Sequence, residues 1–177
     1  MSANYVALEL MLTKSGSALV LHYELSEPIA NLEPDDIPSN KAIETWLIAA
    51  HKHMALTSSI ELGIRVIDDT ESAYLNSTYR GKSKSTNVLS FVNDVPDYVE
   101  TDHIGDLAIC APVVKREAKE QGKSVEAHWS HMCIHGLLHL LGYDHIHEKD
   151  AQEMEALEVA ILGDLGFQDP YIINETK

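Results

Sequence analysis

The stretch HMCIHGLLHLLGYDHIH, residues 131–147, decides how the rest of the chain is read. His135 and His139 stand four apart in an apolar helical context, so both imidazoles project from one helix face about a turn apart. Leu137, Leu138, Leu140 and Leu141 fill the surrounding faces, which predicts a largely buried helix. Gly142 is the expected stop, because glycine accepts the left-handed conformation without a Cβ penalty. The chain then turns back through Tyr143 and Asp144 to a third imidazole, His145. Three neutral imidazoles with an open fourth position describe a catalytic zinc site, one ion per chain, better than a structural one, which normally has four protein ligands.

The spacing also resembles zinc proteases. His135, His139, Gly142 and His145 fall where the metzincin pattern H-E-x-x-H-x-x-G-x-x-H puts its ligands and turn. That pattern needs a Glu base directly after the first His, and this chain has Gly136. A protease reading therefore lacks its base. Other histidines compete for the metal: on a helix advancing ~100° per residue, His128 and His131 share the face of His135 and His139. The glycine turn returns His145 beside His139, which favours the His135, His139, His145 set. His128 and His131 are then expected as core or supporting histidines, and His147 as a solvated or capping one.

Working outward, 177 residues with a 45% hydrophobic share fit one domain with one core, at roughly 100 to 200 residues per domain. No apolar run approaches the ~18 residues of a membrane span. MSANYVALELMLTKSG has neither a basic start nor a cleavage site, so a cytoplasmic location is expected. Cys110 and Cys133 have no CxxC spacing and are expected as buried thiols. A net charge of −15 disfavours indiscriminate nucleic-acid binding, which draws on many phosphate contacts. The charge is uneven, however. Between Glu71 and Asp94 there is no acid, while Arg80, Lys82 and Lys84 are basic; Glu148 to Glu158 is strongly acidic.

The patterning predicts strands at Val6–Leu12, Ala18–Leu25, Ile60–Ile67, Asn87–Val92 and Ile104–Cys110. Pro28, Pro34 and Pro38 mark a loop over 26–39. Helices are predicted after Ser39 or Asn40, from Asp68 or Asp69 towards Tyr79, from Pro112 to before Gly122, from Ser124, and over Asp150–Leu162 with Met154, Leu157, Ile161 and Leu165 on one side. The fold class is α+β: one domain, a small mixed β-sheet covered by helices, with a central metal-binding helix in a zincin-like arrangement.

Two further constellations carry chemistry. In LNSTYRGKSKSTNVLSF, residues 75–91, a basic loop enters an apolar strand, and the Arg80 guanidinium can lay a planar fork on a phosphate; a solvated surface run would look the same. Gly105-Asp106 heads an apolar strand. Asp106 can orient a metal-bound His from outside, or cap a turn.

HGLLHLLGYDH, LNSTYRGKSKSTNVLSF, GDLAIC and the closing EMEALE…LG…DPY together closely resemble the bacterial YbeY family of metal-dependent endoribonucleases, the rRNA maturation factors. The resemblance runs from about Ile60 to Tyr171, and the stretch from Leu19 to Glu33 reads as a family-variable insertion in a single domain, 1–177. It implies a zinc ion on His135, His139 and His145 and a catalytic, substrate-binding Arg80, with Lys82 and Lys84 beside it. It also implies single-strand RNA cleavage in 16S rRNA 3′-end maturation and 70S ribosome quality control. The partners implied are the 16S precursor, the small ribosomal subunit, ribosomal protein S11 and the GTPase Era. Where the family usually reads D-x-P-T-N-V-L-S-F-P, this chain has Ser83, Ser85 and Val92 in place of the Asp and both prolines, which predicts a less rigid loop.

Zinc on three neutral histidines can lower bound water towards a pKa of ~7, and would act either through a hydroxide nucleophile or as a Lewis acid on a phosphoryl oxygen. Arg80 would offset charge growing there. Gly136 leaves the proton acceptor open, and Asp144, next to a ligand, is the candidate. Two rival functions remain: a metal-dependent hydrolase of a small substrate, and a non-catalytic ribosome-assembly module with a structural metal.

Overall fold

The computed structural model describes residues 11–12, 18–26, 29, 32–96 and 98–172, the burial of a few of these apart. Five strands form one mixed sheet, β1 (Met11–Leu12), β2 (Ala18–Leu25), β3 (Ile60–Ile67), β4 (Val88–Val92) and β5 (His103–Cys110), in the order β1-β2-β3-β5-β4. β2, β3 and β5 run parallel, and the outer pairs β1/β2 and β4/β5 are antiparallel. Among the described residues five α-helices accompany it: α1 (Asn40–His53), α2 (Asp69–Arg80), α3 (Ala111–Glu120), α4 (Val125–Leu140) and α5 (Glu148–Asp164). The fold is α+β, as the patterning predicts. Of the strand predicted at Val6–Leu12, residues 6–10 lie outside the described residues.

Local chemistry sets the helix starts. Ser39, Asp68 and Ser124 each accept a hydrogen bond from the backbone N–H three residues on, filling one of the donors a helix start leaves open. Pro112 opens α3, where a missing N–H costs nothing.

Strand alternation sorts the two faces of the sheet. Leu62, Ile64, Val66, Leu107 and Ile109 pack into the main core with Ile43, Leu47, Trp129, Ile134, Leu137 and Leu138 from α1 and α4. Ile67, Leu89, Ala108 and Cys110 turn the other way, against Val113 of α3 and Leu75 of α2. Eleven residues of α4 are buried, whereas His135 and His139 are half-exposed, so past its first turn the helix shows polar groups only near its C-terminal end. At Gly136 the helix lies close against the sheet. A Cβ there would stand 2.7 Å from Leu107 Cδ1 of β5. The position where the zinc-protease pattern carries its Glu is therefore pressed onto the sheet, and any side chain there must displace Leu107.

Candidate metal centre

α4 ends at Leu140, and Gly142, at φ 93°, reverses the chain. The turn does two things at once. It brings His145 back, with its ring centroid 4.9 Å from that of His139 and 5.6 Å from that of His135. It also aims the Tyr143 carbonyl at His139, whose Nδ1 donates to it at 2.9 Å. With Nδ1 carrying the proton, Nε2 of His139 presents its lone pair. His135 is fixed in the same way: its Nδ1 donates to Glu158 Oε1 at 2.8 Å.

The two Nε2 atoms consequently face each other at 3.2 Å. Two bare lone pairs at that separation repel each other unless a cation sits between them. Ligand nitrogens at tetrahedral angles, about 2.05 Å from zinc, lie about 3.3 Å apart, so the pair matches two corners of such a site. One ligand nitrogen from each of His135, His139 and His145 lies within 4.8 Å of the others, and the three can hold a metal ion. Burial, then the neighbouring His135 and His145, hold the His139 pKa below 6.5 and keep its lone pair free at neutral pH. His145 is exposed and forms the mouth.

The supporting groups differ from the expectation. Asp106 does not reach the cluster: on β5 it alternates with Gly105 and Leu107, which face α4, and its carboxylate lies instead 3.5 Å from His103. Asp144 Oδ1 accepts the backbone N–H of His145 at 2.7 Å and so stiffens the turn. The supporting carboxylate is Glu158 of α5, fully buried, which also accepts from His131 Nε2 at 2.8 Å and from the Tyr171 hydroxyl. Burial opposes its ionisation, but the hydrogen bonds from His131 and His135 outweigh that and hold its pKa at about 2. Its helix face was readable in the sequence, though its partners were not. Glu158 falls four after Met154 and three before Ile161, on the apolar side of α5, where the acidic run hid it.

His131 is buried, and its pKa is lowered first of all by desolvation, so it is a neutral core histidine. His128 is buried too and donates from Nε2 to Glu117 at 2.8 Å. His147 is exposed at the start of α5 and makes no side-chain cap there. Both thiols are free and buried.

Arg80 closes α2, and Arg80, Lys82 and Lys84 are all exposed. Among the described residues none of their side chains has an acidic partner. The loop backbone, in contrast, is pinned by two buried residues of α2. Asn76 Nδ2 donates to Lys84 O at 2.7 Å, and Ser72 Oγ both donates to Thr86 O and accepts from Thr86 N. Tyr79, 65% exposed, stands edge-on to Phe91 at 5.0 Å. Phe91 pairs with Asp106, next to Gly105, whose open Cβ position meets Leu140 of α4. The ends of α2 and α4 therefore reach the same end of the sheet, on its two faces, with the edge strand β4 between them.

A mixed sheet carrying a buried helix with three converging imidazoles, a group that could hold a metal ion, defines an α+β protein of zincin-like build. Residues 29–166 match the family described as Endoribonuclease YbeY, and the chain belongs to that family of endoribonucleases. The fold also resembles the solution structure of TM1509 from Thermotoga maritima, at 21% identity and a TM-score of 0.52, over 87% of this chain and 99% of that one. No helix among the described residues is long and apolar enough to cross a membrane.

Proposed function

We propose that this chain is a zinc-dependent, single-strand-specific endoribonuclease that trims the 3′ end of 16S rRNA in the cytoplasm and takes part in ribosome quality control. The observation that carries the reading is the pair of Nε2 atoms 3.2 Å apart, each left unprotonated by a partner on its Nδ1, with His145 closing the set. Bound to His135, His139 and His145, zinc would supply Lewis acidity and activate water near neutral pH. Arg80 would grip a non-bridging phosphoryl oxygen and offset charge that grows on it in the transition state. Lys82 and Lys84 would hold flanking phosphates, the RNA passing around the edge strand β4 between the basic loop and the histidines. Asp144, whose Oδ1 is engaged by the His145 N–H, keeps Oδ2 to take a proton.

A net charge of −15 suits an enzyme handed its substrate by a bound partner better than one that scans free RNA. The small ribosomal subunit, ribosomal protein S11 and the GTPase Era are the partners inferred. The 1–177 chain is taken as one such domain, with a family-variable stretch at about 19–33 whose residues 19–25 belong to β2.

The test pairs metal content with cleavage of a single-stranded 16S 3′-end precursor by wild type and His139→Ala. One zinc per chain, with metal and cleavage lost together, supports the reading. Stoichiometric metal without cleavage by wild type, alone or with small subunits, replaces it with an assembly role.

A further inference from the structure

We propose that Glu158 and Tyr171 are positioning residues for the metal ligand His135, so that the segment after α5 helps to set metal affinity. The inference rests on the metal-binding reading of the three histidines and not on the RNA substrate.

An ionised carboxylate that is fully buried is costly unless its lone pairs are filled. A well-packed apolar residue in its place is often neutral or stabilising, so packing alone does not account for an acid here. What Glu158 does that a leucine cannot is take the proton side of His135. Oε1 receives Nδ1–H at 2.8 Å, which dictates the tautomer and holds the ring with Nε2 facing His139. A carboxylate on the far nitrogen also makes the ligating nitrogen more basic than a carbonyl does, and His139 has only the Tyr143 carbonyl.

The other oxygen keeps the carboxylate from turning. Oε2 is shared by His131 Nε2 at 2.8 Å and by the Tyr171 hydroxyl. His131 Nδ1 is buried with no partner among the described residues, a cost consistent with the ring being kept for its contact with Glu158. Tyr171 is itself placed. Its ring stands edge-on to His131 at 5.7 Å, and its N–H donates to Asp169 Oδ1 at 2.8 Å. The preceding Pro170 carbonyl accepts from Lys123 Nζ, just before α4 begins. The segment 169–171 is thus tied both to the start of the metal helix and, through Glu158, to the ligand three turns further along.

The experiment titrates zinc into metal-free protein against a chromophoric chelator, with wild type, Glu158→Gln, Tyr171→Phe and, as reference, His139→Ala. Circular dichroism checks the fold, and ¹⁵N spectra of metal-free protein report the His135 tautomer. An amide has one acceptor oxygen and adds a donor, so it cannot satisfy all three donors. Zinc affinity of Glu158→Gln is expected to fall roughly 10- to 100-fold, with loss of the fixed Nδ1–H form of His135. Tyr171→Phe should weaken zinc a few-fold through the loosened carboxylate. A folded Glu158→Gln protein with wild-type affinity and an unchanged tautomer overturns the proposal. If that variant does not fold, Tyr171→Phe decides, since it removes one hydroxyl from a side chain that is 44% exposed; unchanged affinity there overturns it equally. Zinc binding without RNA cleavage by wild type would sink the nuclease reading and leave this one standing, whereas wild type that binds no zinc removes the ground for both.

Discussion

The C-terminal end of α4 and the loop 81–87 after α2 are held in opposite ways. At the end of α4 two of the three imidazoles have their far side occupied, His135 by Glu158 and His139 by the Tyr143 carbonyl, and Asp144 holds the turn at His145. In the loop it is the backbone that is pinned, by Ser72 and Asn76, while Arg80, Lys82 and Lys84 extend into solvent. The difference fits what each is proposed to bind. Metal ligands must be placed to within a few tenths of an ångström before the ion arrives, so the surrounding protein fixes them. A flexible polyanion is gripped by charges that can move with it, on a loop whose path is nonetheless fixed.

The largest expected effect breaks the first region. His139→Ala removes one of three ligands and should take both the metal and RNA cleavage to background, measured by metal analysis and gel assay on the same preparation. Retained stoichiometric metal would mean that a different set, such as His131, His135 and Glu158, is the ligand group. Arg80→Ala attacks the second region instead. Turnover should fall roughly 10²- to 10³-fold, as for other lost transition-state donors, with zinc content unchanged. Full turnover would remove Arg80 from the chemistry.

Gly136 tests why the metal helix has the sequence it has. Gly136→Ala should destabilise the fold by about 1–3 kcal/mol in urea unfolding, because the methyl must displace buried Leu107. Gly136→Glu should be far worse, with a charge pressed into the sheet and no protease activity gained. A stable Gly136→Glu protein would show that the missing base is not a packing matter.

The sequence made the histidine cluster legible because its three imidazoles and glycine turn lie within eleven residues, where helix periodicity and one turn set the geometry. The strands and helices within 18–165 were legible from alternation and caps, with ends moved by a residue or two. The support around the ligands was not. Glu158 is 23 residues from His135, and only the docking of α5 on α4 brings them together. Asp106 misled for the opposite reason: its place at the head of an apolar strand gave no face, and the register of β5 put it on the wrong one. The pinning of the loop by Ser72 and Asn76 does not depend on the proline pattern and could not be read from it.

One carboxylate links the end of the loop to the start of α4, and it is open to titration. Glu117 of α3 accepts from His128 of the metal helix at 2.8 Å and from Asn87, where the basic loop enters β4, at 3.0 Å. Burial works against its charge, but the His128 and Asn87 hydrogen bonds, then the charges of His128 and Arg116, outweigh this and hold its pKa below 4.5. Because the folded value lies under the unfolded one, this stabilisation is fully present above pH 4.5 and fades as the pH drops through the folded pKa. Glu117→Gln should therefore cost roughly 1 kcal/mol at neutral pH in urea unfolding of metal-free protein. The gap to wild type should close as the solution is acidified below pH 4.5. A gap that stayed constant into the acid range would mean that Glu117 acts by shape alone, and that the loop and the metal helix are joined by packing rather than by charge.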